Sequence, residues 1–129
     1  MNRTDVQAWL DRYVEAWGAN DATLIGALFT DDVVYRYRPW DSDRSTLNGR
    51  DAVVSSWLAE PDEPGTWKAS YEAYAVDGDR AVAAGISDYP GRGETYHNCF
   101  LLRFGSDGRC AEFTEFWVRR PTDAPPPTE

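Results

Sequence analysis

Residues 67–119 read WKASYEAYAVDGDRAVAAGISDYPGRGETYHNCFLLRFGSDGRCAEFTEFWVR, and this stretch decides the fold. It is rich in aromatic and β-branched side chains, apolar and polar residues alternate along it, and turn signals divide it. Trp67 to Val76 predicts a strand closed by Asp77-Gly78-Asp79, and Arg80 to Tyr89 a second closed by Pro90-Gly91-Arg92-Gly93. Glu94 to Phe104 predicts a third, closed by Gly105-Ser106-Asp107-Gly108, and Arg109 to Arg119 a fourth. The Asp-Gly pairs supply the positive φ that tight turns between antiparallel strands demand.

Upstream the period changes from two to about 3.6. Val6, Leu10, Tyr13, Val14 and Trp17 recur at three- and four-residue steps, which predicts a helix from about Thr4 to Gly18, with Thr4 or Asp5 able to cap it. Asn20-Asp21 then caps a second helix, Ala22 to Phe29, with Leu24, Ile25, Leu28 and Phe29 toward the core, and Thr30-Asp31-Asp32 breaks it. Val33 to Arg38 alternates as a strand that Pro39 ends, and Trp40 to Asn48 is polar and irregular. A third helix, about Ala52 to Ala59, turns Val53, Val54, Trp57 and Leu58 inward, and the two prolines and the glycine of residues 60–65 interrupt regular structure. Pro121 to Glu129 is proline-rich and polar and reads as a disordered end, leaving residues 1–120 as a single domain. Helices segregated from a meander make an α+β fold: long, strongly twisted strands curl into a mostly antiparallel curved sheet, the three N-terminal helices plug its concave side, and a pocket is expected at its mouth.

Composition narrows the function classes. Of 129 residues, 13 are Lys or Arg and 22 Asp or Glu, so the net charge is −9, which argues against a nucleic-acid partner. No apolar run approaches the roughly 18 residues of a membrane span, and the N-terminus lacks the apolar core of a signal peptide. With 14% aromatic residues, including 6 Trp and 7 Tyr, the chain has the bulk to fold and to wall a pocket. Cys99 and Cys110 form no C-x-x-C pair, and with a single histidine they make a poor zinc set. They read as small buried thiols in a reducing, cytoplasmic setting, and neither a metal site nor a cofactor is expected.

Arg12-Tyr13-Val14, Ala19-Asn20-Asp21, Ala27 through Val33, Gly49-Arg50-Asp51-Ala52-Val53 and Arg103 through Arg109 together resemble the nuclear transport factor 2-like, or SnoaL-like, superfamily. The resemblance runs from about Val6 to Arg119 and implies a cone of three helices in a curved sheet, commonly dimeric. It implies many activities, among them ketosteroid isomerase, polyketide cyclase, dehydratase and epoxide hydrolase, as well as non-catalytic binding modules, so function must be read at the site. In the ketosteroid isomerase pattern the tyrosine oxyanion donor falls on Tyr13, which matches. The general-base aspartate falls on Tyr37 and the protonated aspartic acid on Phe100, so two of the three catalytic groups are missing. In the SnoaL-like polyketide cyclases an aspartate on the final strand is the acid/base, and Glu115 resembles it in place.

On this alignment Asn98, Phe100 and Leu102 point into the cone together with Phe113, Glu115 and Trp117, while Cys99, Leu101, Thr114 and Phe116 point outward. Arg36 and Arg38 are expected on the outer face. Glu115, among large apolar neighbours, either sits desolvated with a raised pKa or points outward to pair with an arginine. His97 lies opposite to Asn98 and faces outward or into a dimer interface; a register slip or a bulge would turn it inward beside Glu115. Asn98 would orient a ligand oxygen or the Glu115 carboxylate. Asp31-Asp32 reads as backbone-satisfying turn residues.

The expected catalytic set is therefore Glu115, His97 and Tyr13. The expected ligand-binding set is Tyr37, Trp40, Trp57, Asn98, Phe100, Phe113 and Trp117. The expected function is a pocket for a small, largely apolar molecule, with cofactor-independent isomerase, dehydratase or cyclase chemistry. The alternative is a non-catalytic ligand-binding or dimerisation module. The expected partners are that small molecule and a second copy of the chain, packed through the apolar outer face as a homodimer.

Overall fold

Helix α1 spans Arg3–Ala19. Its cap lies upstream of Thr4: Asn2 Oδ1 accepts from the Asp5 backbone N–H at 2.8 Å while Asp5 Oδ2 accepts from the Asn2 N–H at 3.0 Å, a reciprocal capping box. The helix ends at Asn20 rather than Gly18, with Asn20 in the left-handed region at φ 51°. Val6, Leu10 and Tyr13 are buried as the period predicts, and so is Trp9, whose indole donates to the Leu28 carbonyl at 3.0 Å.

Helix α2, Ala22–Gly26, is capped by the Asp21 carboxylate and stops short of Phe29. Phe29 instead opens strand β1, Phe29–Arg36, whose register shifts between Phe29 and Val34. The acidic pair that was expected to break a helix sits in this bulge. Asp31 meets Arg50 at 2.6 Å and Asp32 accepts from the Thr30 hydroxyl at 2.9 Å, so the two carboxylates are taken by neighbouring side chains and not, as expected, by backbone groups of a turn. Leu24 is exposed, on the outer flank of a helix too short to turn a second apolar side inward. Strand β1 ends at Arg36, and Thr46–Asn48 forms β2 where irregular chain was expected, pairing antiparallel with β1 through Tyr35 and Leu47. Helix α3, Arg50–Ala59, buries Val53 and half-buries Val54 and Trp57 but leaves Leu58 exposed.

Four long strands follow: β3 Lys68–Asp77, β4 Arg80–Tyr89, β5 Glu94–Phe104 and β6 Cys110–Arg119. The six strands form one curved sheet in the order β2-β1-β6-β5-β4-β3, antiparallel except for the parallel pairing of β1 with β6. The hairpin of β5 and β6 carries a bulge between Arg103 and Phe104, near the turn that holds Gly108 at φ 80°. A second bulge lies in β3 between Ala73 and Ala75. There Gln7 of α1 reaches the sheet edge: its amide donates to the Tyr71 carbonyl at 2.9 Å and its oxygen accepts from the Ala73 N–H at 2.9 Å. A helix side chain thereby occupies backbone groups that an edge strand would leave open.

Aromatic rings fill the space between α1 and the sheet. Phe113 is stacked on Tyr35 with centroids 4.3 Å apart and on Tyr13 at 5.6 Å, and Phe100 packs against it at 4.8 Å. The structure is a computed structural model that describes residues 1–121; the stretch read as a disordered tail, beyond Pro121, lies outside the described residues. No described helix is long and apolar enough to cross a membrane.

Candidate functional site

A cavity of about 800 Å³ opens at the wide end of the cone, between the concave face of the sheet and helices α1 and α3. Its floor is polar. Ser87 of β4, Asn98 of β5 and Glu115 of β6 stand on three adjacent strands, each diagonal to the next: Asn98 faces Gly85 and Trp117 directly, two residues from Ser87 and from Glu115. The Ser87 hydroxyl donates to Asn98 Oδ1 at 2.9 Å, and the Asn98 amide nitrogen donates to Glu115 Oε2 at 2.9 Å. The serine fixes which end of the asparagine amide meets the carboxylate.

Burial among aromatic rings pushes the Glu115 carboxyl up to about 7, and the hydrogen bond from Asn98 opposes that rise only in part. No arginine pairs with Glu115 among the described residues. Phenols surround it. Burial is the main cause that raises the pKa values of Tyr13, Tyr35, Tyr37, Tyr71 and Tyr89, and the Glu115 charge adds to each. These hydroxyls stay protonated at neutral pH and are available as donors. Tyr13 and Tyr35 approach each other at 3.5 Å, and Tyr37 shares a hydrogen bond with Ser56 of α3 at 3.1 Å.

The structure brings together Tyr13, Tyr37, Trp40, Trp57, Asn98, Glu115 and Trp117 around this one cavity. His97 is apart from it. The register of β5 holds, so His97 lies on the outer face between Ile86 and Val118, with its Nε2 2.9 Å from the Arg120 guanidinium. Phe100 and Phe113 point inward but lie beneath the cavity wall, 1% and 0% exposed, because Tyr13 and Tyr71 cover them. Arg38, expected outside with Arg36, instead lines the cavity: strand β1 has ended by then and alternation no longer governs the side chain.

Tyr35 and Tyr71, aromatic residues that the sequence leaves open as core or pocket wall, also line the cavity, and so do Ser87 and Tyr89, which the sequence does not single out. The inward row of β4 runs Ala81, Ala83, Gly85, Ser87, so alternating small residues were the signal available for Ser87. Among the described residues no group of three or more His, Cys, Asp and Glu side chains is placed to hold a metal ion.

The sequence of residues 10–113 matches the model of the SnoaL-like domain. The chain belongs to the SnoaL-like domain family. Solved structures agree with the SnoaL-like fold at low identity. An NTF-2 like protein of unknown function from Burkholderia xenovorans superposes with a TM-score of 0.70 at 17% identity, covering 95% of this chain and 89% of that one. A protein assigned as a ketosteroid isomerase, from Kribbella flavida, gives 0.68 at 21% identity, covering 98% and 85%. An LEH-like epoxide hydrolase of M. tuberculosis gives 0.62 at 15%, covering 90% and 84%. Comparison with curated proteins gave no match. The SnoaL-like domain therefore shares its architecture with proteins named for different reactions, and its own carboxylate, amide and phenols must carry the functional reading.

Proposed function

We propose that this SnoaL-like domain is a cofactor-independent acid/base catalyst of the isomerase, dehydratase or cyclase type, acting on a small, largely apolar molecule that enters the cavity. The observation that carries the reading is Glu115: a carboxyl poised at about 7, inside the cavity and held by Asn98 rather than by an arginine. A carboxyl at that value is a mixture of acid and base at neutral pH, the condition under which one group can both take and return a proton.

In this reading the ionised Glu115 takes a proton from a carbon next to a substrate carbonyl. The C–H electron pair moves toward that carbonyl, and charge develops on its oxygen. Tyr13, at the position where the family resemblance places an oxyanion donor, gives a hydrogen bond to that oxygen, and Tyr35 supports it from 3.5 Å. Protonated Glu115 then returns the proton to another atom of the same substrate. Asn98 and Ser87 keep the carboxylate aimed, and Tyr37, Trp57 and Trp117 wall the substrate. The two thiols, Cys99 and Cys110, are free, which suits a cytoplasmic setting.

The same reading includes assembly. Ile86, Leu101, Phe116 and Val118 are exposed on the outer face of β4, β5 and β6, and a second copy of the chain is the partner proposed to cover them.

Deuterium exchange into a panel of small apolar ketones in D₂O, followed by NMR, tests the chemistry without naming the substrate. The native protein is expected to exchange at least one panel member, and Glu115→Gln to slow that exchange by about 10²-fold or more. Exchange that survives Glu115→Gln overturns the assignment of Glu115. Binding of panel members without any exchange leaves the ligand-binding module as the function.

A further inference from the structure

Three arginines stand around the cavity, and they differ in what neutralises them. Arg92 is engaged by Asp62 at 3.1 Å and by Glu94 at 3.6 Å. Arg38 and Arg44 have no carboxylate within ion-pair distance among the described residues. Arg36, two residues before Arg38, differs: it takes Asp41 at 2.6 Å and Glu112 at 3.5 Å.

Local structure places both free cations on the same rim. The Tyr37 N–H donates to the Ser45 carbonyl at 2.8 Å, so Arg38 and Arg44 are the first and last residues of a loop pinched at its base. That loop is tied down inside as well: Thr46 N–H donates to the Ser42 carbonyl at 3.0 Å, and Asp41 is held by Arg36. The Arg38 guanidinium lies 5.5 Å from the Trp117 ring centroid and 6.0 Å from that of Trp40. Aromatic faces hold a guanidinium in place without cancelling its charge, and its outward fork matches a carboxylate. Glu60, at the end of α3, also lines the cavity and forms no ion pair with either arginine.

Resting on the reading of this cavity as a ligand site, we propose that its substrate class is the apolar organic acid: a flat hydrocarbon or aromatic body with a carboxylate at one end. The carboxylate sits at the rim between Arg38 and Arg44. The body lies along the tyrosine and tryptophan walls, and its uncharged, reacting end reaches Glu115. The opposite orientation would bring two carboxylates together at the floor, where neither is solvated. The rim arginines thus select the substrate and set its direction.

The test uses a matched pair, 2-naphthoate and its neutral amide 2-naphthamide, titrated by calorimetry into the native protein and into an Arg38→Gln/Arg44→Gln variant at about pH 6. The native protein is expected to bind the acid at least about tenfold more tightly than the amide, the scale of one charge-assisted hydrogen bond. The double variant should lose that preference while keeping its affinity for the amide. Retained amide affinity also shows that the variant is folded, and Arg44→Gln alone, which touches neither tryptophan ring, should lose part of the preference. Equal binding of acid and amide by the native protein, or a preference that survives the double substitution, overturns the rim proposal and leaves the pocket standing. Binding of neither compound at millimolar concentration overturns the ligand site and the rim proposal together.

Discussion

The Asn98 side-chain amide donates to Glu115 Oε2 at 2.9 Å, and this bond alone opposes the burial that pushes the carboxyl up to about 7. The two effects act on the same charge with opposite sign. Desolvation disfavours the carboxylate, and the amide donor favours it. Ser87 decides how well the amide performs, because its hydroxyl holds Asn98 Oδ1 at 2.9 Å.

Asn98→Ala should therefore raise the Glu115 midpoint further, by about one pH unit, the equivalent of one hydrogen bond to a charged group. Carboxyl-carbon NMR of the variant reads it directly. An unchanged midpoint would show that the amide has no hold on the carboxylate in solution.

The raised value also makes a statement about stability. Between about 4.3, the unfolded value of a glutamate, and about 7, the folded chain binds more protons than the unfolded chain, so Glu115 lowers stability as pH rises through that window. Below the window the group is neutral in both states. Glu115→Gln should leave the Tm near the native value at about pH 4 and raise it by about 3 °C or more at about pH 8. A Tm at about pH 8 below that of the native protein would mean that the charge is solvated or paired.

Much of this arrangement was legible in the sequence, and the rest was hidden for physical reasons. The family resemblance sets which face of β5 and β6 points inward, and alternation along these long strands then puts Asn98, Glu115 and Trp117 on the concave face and His97 on the convex one. Helix α2 was overextended because Leu28 and Phe29 are as apolar as a helix face would be. Leu28 lies instead in a turn, and only the parallel pairing of Phe29 with Cys110, 81 residues on in the chain, makes Phe29 the start of a strand. Arg38 departs from the outer face that alternation predicts because β1 ends at Arg36. Trp9 lies beside Leu10 on the buried stripe, and what fixes its indole, the Leu28 carbonyl, belongs to another element and is not visible in the helical period.

Gly85 occupies the centre of the inward row of β4, opposite both Tyr71 and Asn98. A Cβ there would meet the Ser70 carbonyl oxygen and come within 2.8 Å of Tyr71 Cα, both backbone atoms that cannot swing aside. Gly85→Ala is expected to cost about 2 kcal/mol or more in urea unfolding. A loss below about 0.5 kcal/mol would show that the β3 edge shifts freely.

The convex face offers a second, independent test. Leu101 and Phe116 are 44% and 41% exposed, and placing a charge at either removes the apolar surface proposed to meet a second copy. Sedimentation at micromolar concentration should show a dimer for the native chain and a monomer for a Leu101→Glu/Phe116→Lys variant. A native monomer would leave the outer face without its proposed partner.

The acid/base reading stands on the protonation of one carboxyl, and a pH titration of Glu115 in the native protein measures it most directly. Carbon-13 NMR of the glutamate side-chain carboxyls, with Glu115→Gln supplying the assignment, should give a midpoint of about 7. A midpoint near 4.3, the value of a glutamate in water, would contradict the account, because Glu115 would then be an ordinary solvated carboxylate with no proton to return at neutral pH.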